Sequence, residues 1–88
     1  MTVDLVDSIR SILTQDLSIA AAVDVAADVP LLQRGVIDSI ELMQLIAALE
    51  TRLGIAIDET EILPANFRTL NAIAAFVARK QGAAAEAP

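Results

Sequence analysis

The chain contains few side chains that can do covalent chemistry. It has no Cys and no His, which excludes disulfides, thiolate nucleophiles, Cys/His zinc sites and histidine acid–base catalysis. The remaining candidates are hydroxyl and carboxyl groups. Ser39 is the hydroxyl of most interest, because it follows Asp38 after a segment with Gly35 and precedes apolar residues at helical spacing.

Ser39 lies at the predicted start of a helix, where its hydroxyl could carry a phosphodiester. Free N–H groups and a partial positive charge at a helix N-terminus favour a phosphate by about 0.3–1 kcal/mol, whereas Asp38 and Glu41 repel it. The alternative is that Asp38-Ser39 only caps the helix. The tripeptide Asp38-Ser39-Ile40 does not decide between attachment and capping, because Asp7-Ser8-Ile9 has the same sequence inside another predicted helix. Only the copy at Ser39 has a preceding glycine loop and a second apolar face after it.

A second candidate site is the acidic cluster of Asp58, Glu59 and Glu61. Such carboxylates can bind a cation, but they are also typical of the solvated first turn of a helix, where they complement the dipole. We therefore expect no metal site. Because the chain also lacks the usual catalytic side chains, we expect that it is not an enzyme.

The charge of the chain favours protein partners over nucleic acid. Its net charge is −6, whereas phosphate binding needs clustered Lys and Arg. Residues 38–61 hold most of the excess, with Asp38, Glu41, Glu50, Asp58, Glu59 and Glu61 against Arg52. This acidity suits partners with basic docking patches. With no apolar run of membrane-spanning length and no secretory signal, we expect a cytoplasmic protein.

Composition and periodicity predict an all-α protein. Apolar residues make up 56% of the chain and aromatic residues 2%, and Ala is abundant. The predicted helices cover residues 3–17, 38–53 and 58–63, and a last helix begins at Thr69. Residues 18–37 form a long first loop in which the Ala-rich stretch 19–27 could hold a short helical turn. Residues 1–80 are the predicted domain and residues 81–88 a flexible tail.

The second predicted helix has two apolar faces. The expected core face comprises Leu42, Leu45, Ile46, Leu49 and Leu53. Ile40, Met43 and Ala47 fall almost opposite. Either the 18–37 segment covers Ile40 and Met43, or these residues form a small apolar docking strip rimmed by Glu41 and Glu50. The two interpretations are compatible for different residues.

Residues 32–42 (Leu-Gln-Arg-Gly-Val-Ile-Asp-Ser-Ile-Glu-Leu) resemble the phosphopantetheine attachment motif of acyl and peptidyl carrier proteins. The similarity continues along the second helix. Residues 54–57 resemble the family's short link, and residues 69–73 resemble the start of its last helix. The tripeptide is unspecific, but the ordered set over about 45 residues is specific. The resemblance covers residues 3–80.

The resemblance implies a four-helix bundle of acyl-carrier type, with a long first loop and a short third helix, in a freestanding monomer. A phosphopantetheinyl transferase would attach 4'-phosphopantetheine from coenzyme A to Ser39. An acyl- or aminoacyl-activating ligase would load its thiol, and a downstream acyltransferase or synthase would use the thioester. Partners would dock on the second helix, and the docking residues carried over by position are Asp38, Ile40, Met43, Gln44, Ala47 and Glu50.

Departures from the family pattern bear on the pathway. Many fatty-acid carriers have acids where this chain has Gln44, Thr51 and Arg52, so docking should depend less on salt. Residues 34–39 and 64–69 are more similar to carriers in D-alanylation, aminoacyl transfer or secondary metabolism. A cleft between the second and third helices could hold a chain, but cargo identity stays open. The alternative function is an unmodified helical interaction module.

Overall fold

Four α-helices and a long first connection make up the architecture. The computed structural model describes the backbone of residues 4–86 and the side chains of residues 4–82. The helices are α1 (Leu5–Ser11), α2 (Ser39–Leu53), α3 (Pro64–Phe67) and α4 (Leu70–Glu86), and residues 4–86 contain no strand. The predicted all-α fold with a long first loop and a short third helix is confirmed.

The first predicted helix forms as α1 and a wider turn that continues it. The Asp4 carboxylate caps α1 by accepting from the Val6 N–H at 3.0 Å. A π-helical turn (Ile12–Asp16) follows and ends where the Leu17 N–H donates to the Ile12 carbonyl at 3.2 Å. The prediction over residues 3–17 therefore holds for the described part, and Val3 lies outside it.

The long loop between α1 and α2 is hydrogen-bonded to the bundle. Arg10 on α1 donates from Nη1 to the carbonyl oxygens of Ala22 at 2.9 Å and Val25 at 2.6 Å. Further along, the Leu31 N–H donates to the Arg68 carbonyl at 2.9 Å. These bonds satisfy backbone groups that a loop packed on a core would otherwise leave unpaired.

Only part of the Ala-rich stretch 19–27 is helical, as a 3-10 turn (Ala20–Ala22). The loop packs on the bundle through Leu31 and Ile37, which are 0% and 2% exposed. Leu32, in contrast, is exposed. The loop thus contributes to the core directly before α2.

Both ends of α2 follow the sequence prediction. Asp38 is the N-cap: its Oδ1 accepts from the Glu41 N–H at 2.7 Å, and the Glu41 Oε1 accepts from the Asp38 N–H at 2.9 Å. This is a complete capping box. At the other end, Gly54 adopts the left-handed conformation with φ +65°, which glycine adopts more readily than other residues.

The predicted third helix over residues 58–63 is wrong in position. Residues Glu59–Glu61 form a 3-10 turn, and α3 begins at Pro64 instead of ending before it. Proline suits the first position of a helix, because its φ is already helical and an N–H there would have no partner within the helix. Asp58 caps the 3-10 turn, since its Oδ1 accepts from the Thr60 N–H at 2.9 Å.

The last helix begins at Leu70, with the Thr69 hydroxyl accepting from the Ala72 N–H at 3.0 Å. It continues to Glu86, into the segment for which composition predicted a flexible tail. The Ala-rich sequence accounts for this difference, because Ala has the highest helix propensity and offsets the cost of Gly82. Residues 87–88 of the predicted tail lie outside the described part.

The four α-helices and the long loop share one core. Its largest fully buried side chains are Ile9, Leu13, Leu31, Leu45, Leu49, Phe67, Leu70, Ile73 and Val77. Phe67 and Phe76, the two aromatic residues of the chain, pack at a centroid distance of 5.2 Å. Within the described residues, no helix is both long enough and apolar enough to span a membrane.

Candidate functional site

Ser39 is the first residue of α2, and its side chain is exposed to solvent. The neighbouring Asp38 carboxylate supplies the cap by accepting from the Glu41 N–H. The Ser39 hydroxyl is therefore not needed for capping, and it makes no hydrogen bond within the described part of the chain. An exposed hydroxyl without a partner is accessible to a modifying enzyme.

The second Asp-Ser-Ile copy has a different environment. Ser8 lies inside α1 and is half-buried. Its hydroxyl donates to the Asp4 carbonyl at 3.3 Å. Of the two serines, only Ser39 therefore presents an exposed hydroxyl at a helix start, which agrees with the contrast in sequence context.

The start of α2 is electrostatically suited to a phosphodiester. Backbone N–H groups in the first turn of a helix lack intrahelical partners and attract anions. The carboxylates of Asp38 and Glu41 add negative charge there, but each accepts a backbone N–H of the capping box. The residues present therefore fit a phosphate-linked group on Ser39.

An exposed apolar strip runs along α2 from this site. Ile40 and Met43 are 71% and 53% exposed, and Gln44 and Ala47 are also exposed. Their spacing places these four residues on one face of the helix. The interpretation that the 18–37 segment covers Ile40 and Met43 is thus wrong, and Leu31 and Ile37 of that segment are buried in the core instead.

The two acidic residues predicted for docking differ in their surroundings. Asp38 is exposed at the N-cap. Glu50 is half-buried, and its Oε2 accepts from the Ile57 N–H at 2.9 Å. Glu50 therefore ties the end of α2 to the following link, a contact that periodicity within a helix does not reveal.

An apolar groove opens beside the start of α2, between the long loop and α3. Its volume is about 480 Å³, within the range of about 300–1,000 Å³ that is typical of small-molecule sites. The residues that form its walls include Leu32, Leu42, Ile62, Leu63, Phe67 and Arg68. The cleft expected between the second and third helices is present, but Ile62 and Leu63 line it from the non-helical segment before α3.

The acidic cluster at residues 58–61 is used in local structure. The hydrogen bond from the Thr60 N–H holds the pKa of Asp58 below its ordinary value of 3.8. The hydrogen bond from the Lys80 ammonium, 2.8 Å from Oε1, lowers the pKa of Glu61 below 4.5. No cluster of three or more acidic side chains in the described residues is arranged to hold a metal ion.

Comparison with known families decides the class of the protein. A family model described as "Phosphopantetheine attachment site" matches residues 7–77. The chain belongs to this phosphopantetheine-binding family. The matched region extends from α1 into α4 and includes Ser39 and the exposed face of α2. No curated protein matches the chain significantly.

Membership of the phosphopantetheine-binding family gives the coarse function. Its domains are carriers that hold a 4'-phosphopantetheine group and interact with a phosphopantetheinyl transferase and with synthases or ligases. Carrier domains of this kind are generally not catalytic. The predicted relationship to acyl and peptidyl carrier proteins is confirmed.

Proposed function

We propose that the protein carries acyl intermediates as thioesters on a 4'-phosphopantetheine arm attached to Ser39. The observation that supports this most directly is the exposed Ser39 hydroxyl, left without a partner because Asp38 caps α2. It lies within the region matched to the family. When bound, the arm supplies a thiol that forms an activated thioester with the cargo.

The attachment step needs only the Ser39 hydroxyl from this chain. Its oxygen forms a bond to the phosphorus of the arm, and the bond from that phosphorus to the nucleotide part of coenzyme A breaks. The nucleotide leaves and the hydroxyl proton is lost. The transferase supplies the catalysis, while α2 holds the oxygen at a fixed position.

The exposed α2 face is the proposed docking surface for the transferase, for a loading ligase and for a downstream acyltransferase or synthase. Ile40 and Met43 provide apolar contacts, and Gln44 and Ala47 extend the same face. Asp38 adds a charge beside Ser39. Glu50 is proposed as a docking residue at the edge, although its hydrogen bond to Ile57 leaves it less free to rearrange.

The proposed pathway is a specialised one, such as aminoacyl or D-alanyl transfer or secondary metabolism. Gln44 and Thr51 make the exposed part of α2 less acidic than in many fatty-acid carriers, and Arg52 forms an ion pair with Asp16 at 3.3 Å. We propose that the carrier unit spans residues 1–80 and acts as a cytoplasmic monomer.

Mass spectrometry tests the proposal. The purified protein is incubated with coenzyme A and a broad-specificity phosphopantetheinyl transferase, and its intact mass is compared with those of Ser39→Ala and Ser8→Ala. One added arm on the parent and on Ser8→Ala, with none on Ser39→Ala, is the expected result. If the parent gains no mass beside a modified control carrier, an unmodified helical interaction module becomes the better account.

A further inference from the structure

The groove beside α2 is mostly apolar and carries one positive charge. Its walls are mostly apolar, and Arg68 is the one charged residue among the residues that line it. No carboxylate lines it. A chain held in this groove therefore meets hydrocarbon surface and a single positive charge.

The backbone of Arg68 is hydrogen-bonded to the long loop, whereas its guanidinium has no partner among the described residues. Its carbonyl accepts from the Leu31 N–H at 2.9 Å, which anchors the residue to the long loop. The side chain is exposed, and its guanidinium makes no hydrogen bond or ion pair within the described residues. Its charge is thus available to a ligand.

The groove is close to the proposed attachment residue. Leu42 lines the groove and follows Ser39 by three residues, which is about 4.5 Å along the axis of α2. A flexible arm on Ser39 can therefore bring its terminal thioester to the groove. The groove is therefore within reach of cargo on the arm.

We propose that Arg68 makes this groove select an acyl chain ending in a carboxylate over one ending in an ammonium group when the cargo of the arm enters it. The inference rests on the proposed attachment at Ser39. The apolar walls hold the methylene chain, and Arg68 attracts the terminal carboxylate. A cargo whose chain ends in an ammonium group meets a like charge and no acceptor carboxylate, so the groove favours dicarboxylic acyl cargo among chains long enough to fill it.

The expected preference is modest because Arg68 is exposed. Charge pairs at such positions change equilibria by about two- to fivefold. The effect should decrease at high salt, because mobile ions screen exposed charges. A preference of this size is measurable when the two cargoes have the same chain length.

The experiment compares two thioesters on Ser39. A broad-specificity transferase loads the protein from suberoyl- and ω-aminooctanoyl-coenzyme A, and intact mass follows cleavage of each thioester by hydroxylamine. Rates are normalised to the same thioesters on free pantetheine. The suberoyl cargo should be cleaved about two- to fivefold more slowly than the ω-aminooctanoyl cargo.

Two charge-reversal variants test whether Arg68 causes the preference between the two cargoes. Arg68→Glu should reverse the preference, because it places a carboxylate in the groove. Arg34→Glu is the matched control and should keep the preference, since Arg34 is exposed on the long loop but does not line the groove.

Equal rates for the two cargoes, or the same ratio in Arg68→Glu and the parent, would overturn the inference while leaving the carrier function intact. Failure of the parent to load any arm would instead contradict the proposed attachment, and the inference with it.

Discussion

At the start of α2, capping and attachment are divided between adjacent residues. Asp38 satisfies the backbone of the first turn, and Ser39 keeps an exposed hydroxyl. The sequence alone leaves capping as the alternative to attachment, whereas the structure has the cap on Asp38 and leaves Ser39 exposed; the cap itself follows local residue spacing. The tripeptide did not predict whether the Ser39 hydroxyl would be hydrogen-bonded. In the other copy of the tripeptide, the Ser8 hydroxyl donates to the Asp4 carbonyl.

Removal of the Asp38 carboxylate should weaken α2. We expect Asp38→Ala to lower the free energy of unfolding by about 0.5–2 kcal/mol, because the Glu41 N–H loses its acceptor. Urea denaturation measures this loss. Asp38→Asn is the control and should retain most of the stability, since Asn caps helices as well as Asp does. Equal stability of Asp38→Ala and the parent would show that the cap contributes nothing.

Ser18 should resist substitution by a β-branched residue. It follows the π-helical turn with φ +56°, a conformation that costs residues with a Cβ about 1–2 kcal/mol. We expect Ser18→Val to lower the free energy of unfolding, since its side chain is stiffer and cannot hydrogen-bond locally, whereas Ser18→Gly should not. Urea midpoints of the two variants check this. A Ser18→Val variant as stable as the parent would contradict the left-handed backbone conformation at residue 18.

Among the elements, α2 and α3 show what sequence patterns can and cannot locate. The bounds of α2 were predictable because Asp38 and Gly54 are strong local signals for a start and an end. The start of α3 was not, because Pro64 can follow one helix or begin another, and tertiary packing of Phe67 decides between them. The groove was therefore only partly predictable, since Ile62 and Leu63 were assigned to a helix.

The exposed α2 face should contribute to recognition by the transferase. We expect Ile40→Ala combined with Met43→Ala to raise KM about five- to tenfold with a small change in kcat, because partners lose apolar contacts without loss of the attachment site. Steady-state attachment kinetics measure this. Val23→Ala is the matched control, because Val23 is 62% exposed in the long loop and should leave KM unchanged. An equal effect in both variants would argue against a specific docking face.

For the whole molecule, long-range contacts limited the sequence prediction. The bonds from Arg10 to Ala22 and Val25 join residues far apart in the chain, and no local pattern signals them. The bond between Glu50 and Ile57 spans only seven residues, but it joins α2 to the link that follows it, and periodicity within the helix does not signal it. Helical periodicity nevertheless identified the buried residues Leu45, Ile46 and Leu49 of α2, because the bundle buries one apolar stripe of each helix.

Stability of the folded protein should fall in acid partly through Asp58 and Glu61. Both pKa values are lowered in the folded state, from 3.8 and 4.5. Their stabilisation is therefore complete above those values and is lost as pH falls through the lower folded values. We expect Lys80→Met to make the acid-side loss shallower, because the Lys80 ammonium lowers the pKa of Glu61.

Urea denaturation between about pH 7 and pH 2 measures this profile. Lys80→Arg keeps the charge and should retain the steeper loss. Identical profiles for Lys80→Met and the parent would show that the contact between Glu61 and Lys80 does not couple folding to protonation.

The central claim is that one hydroxyl, on Ser39, carries the arm. Peptide mapping of the unmutated protein after the transferase reaction tests this directly. Trypsin cleaves after Arg34 and Arg52 and releases residues 35–52, a peptide in which Ser39 is the only serine, while Ser8 lies in residues 1–10. We predict the arm on the 35–52 peptide, with fragment ions assigning it to Ser39. An arm on residues 1–10, or on any other peptide, would contradict the account.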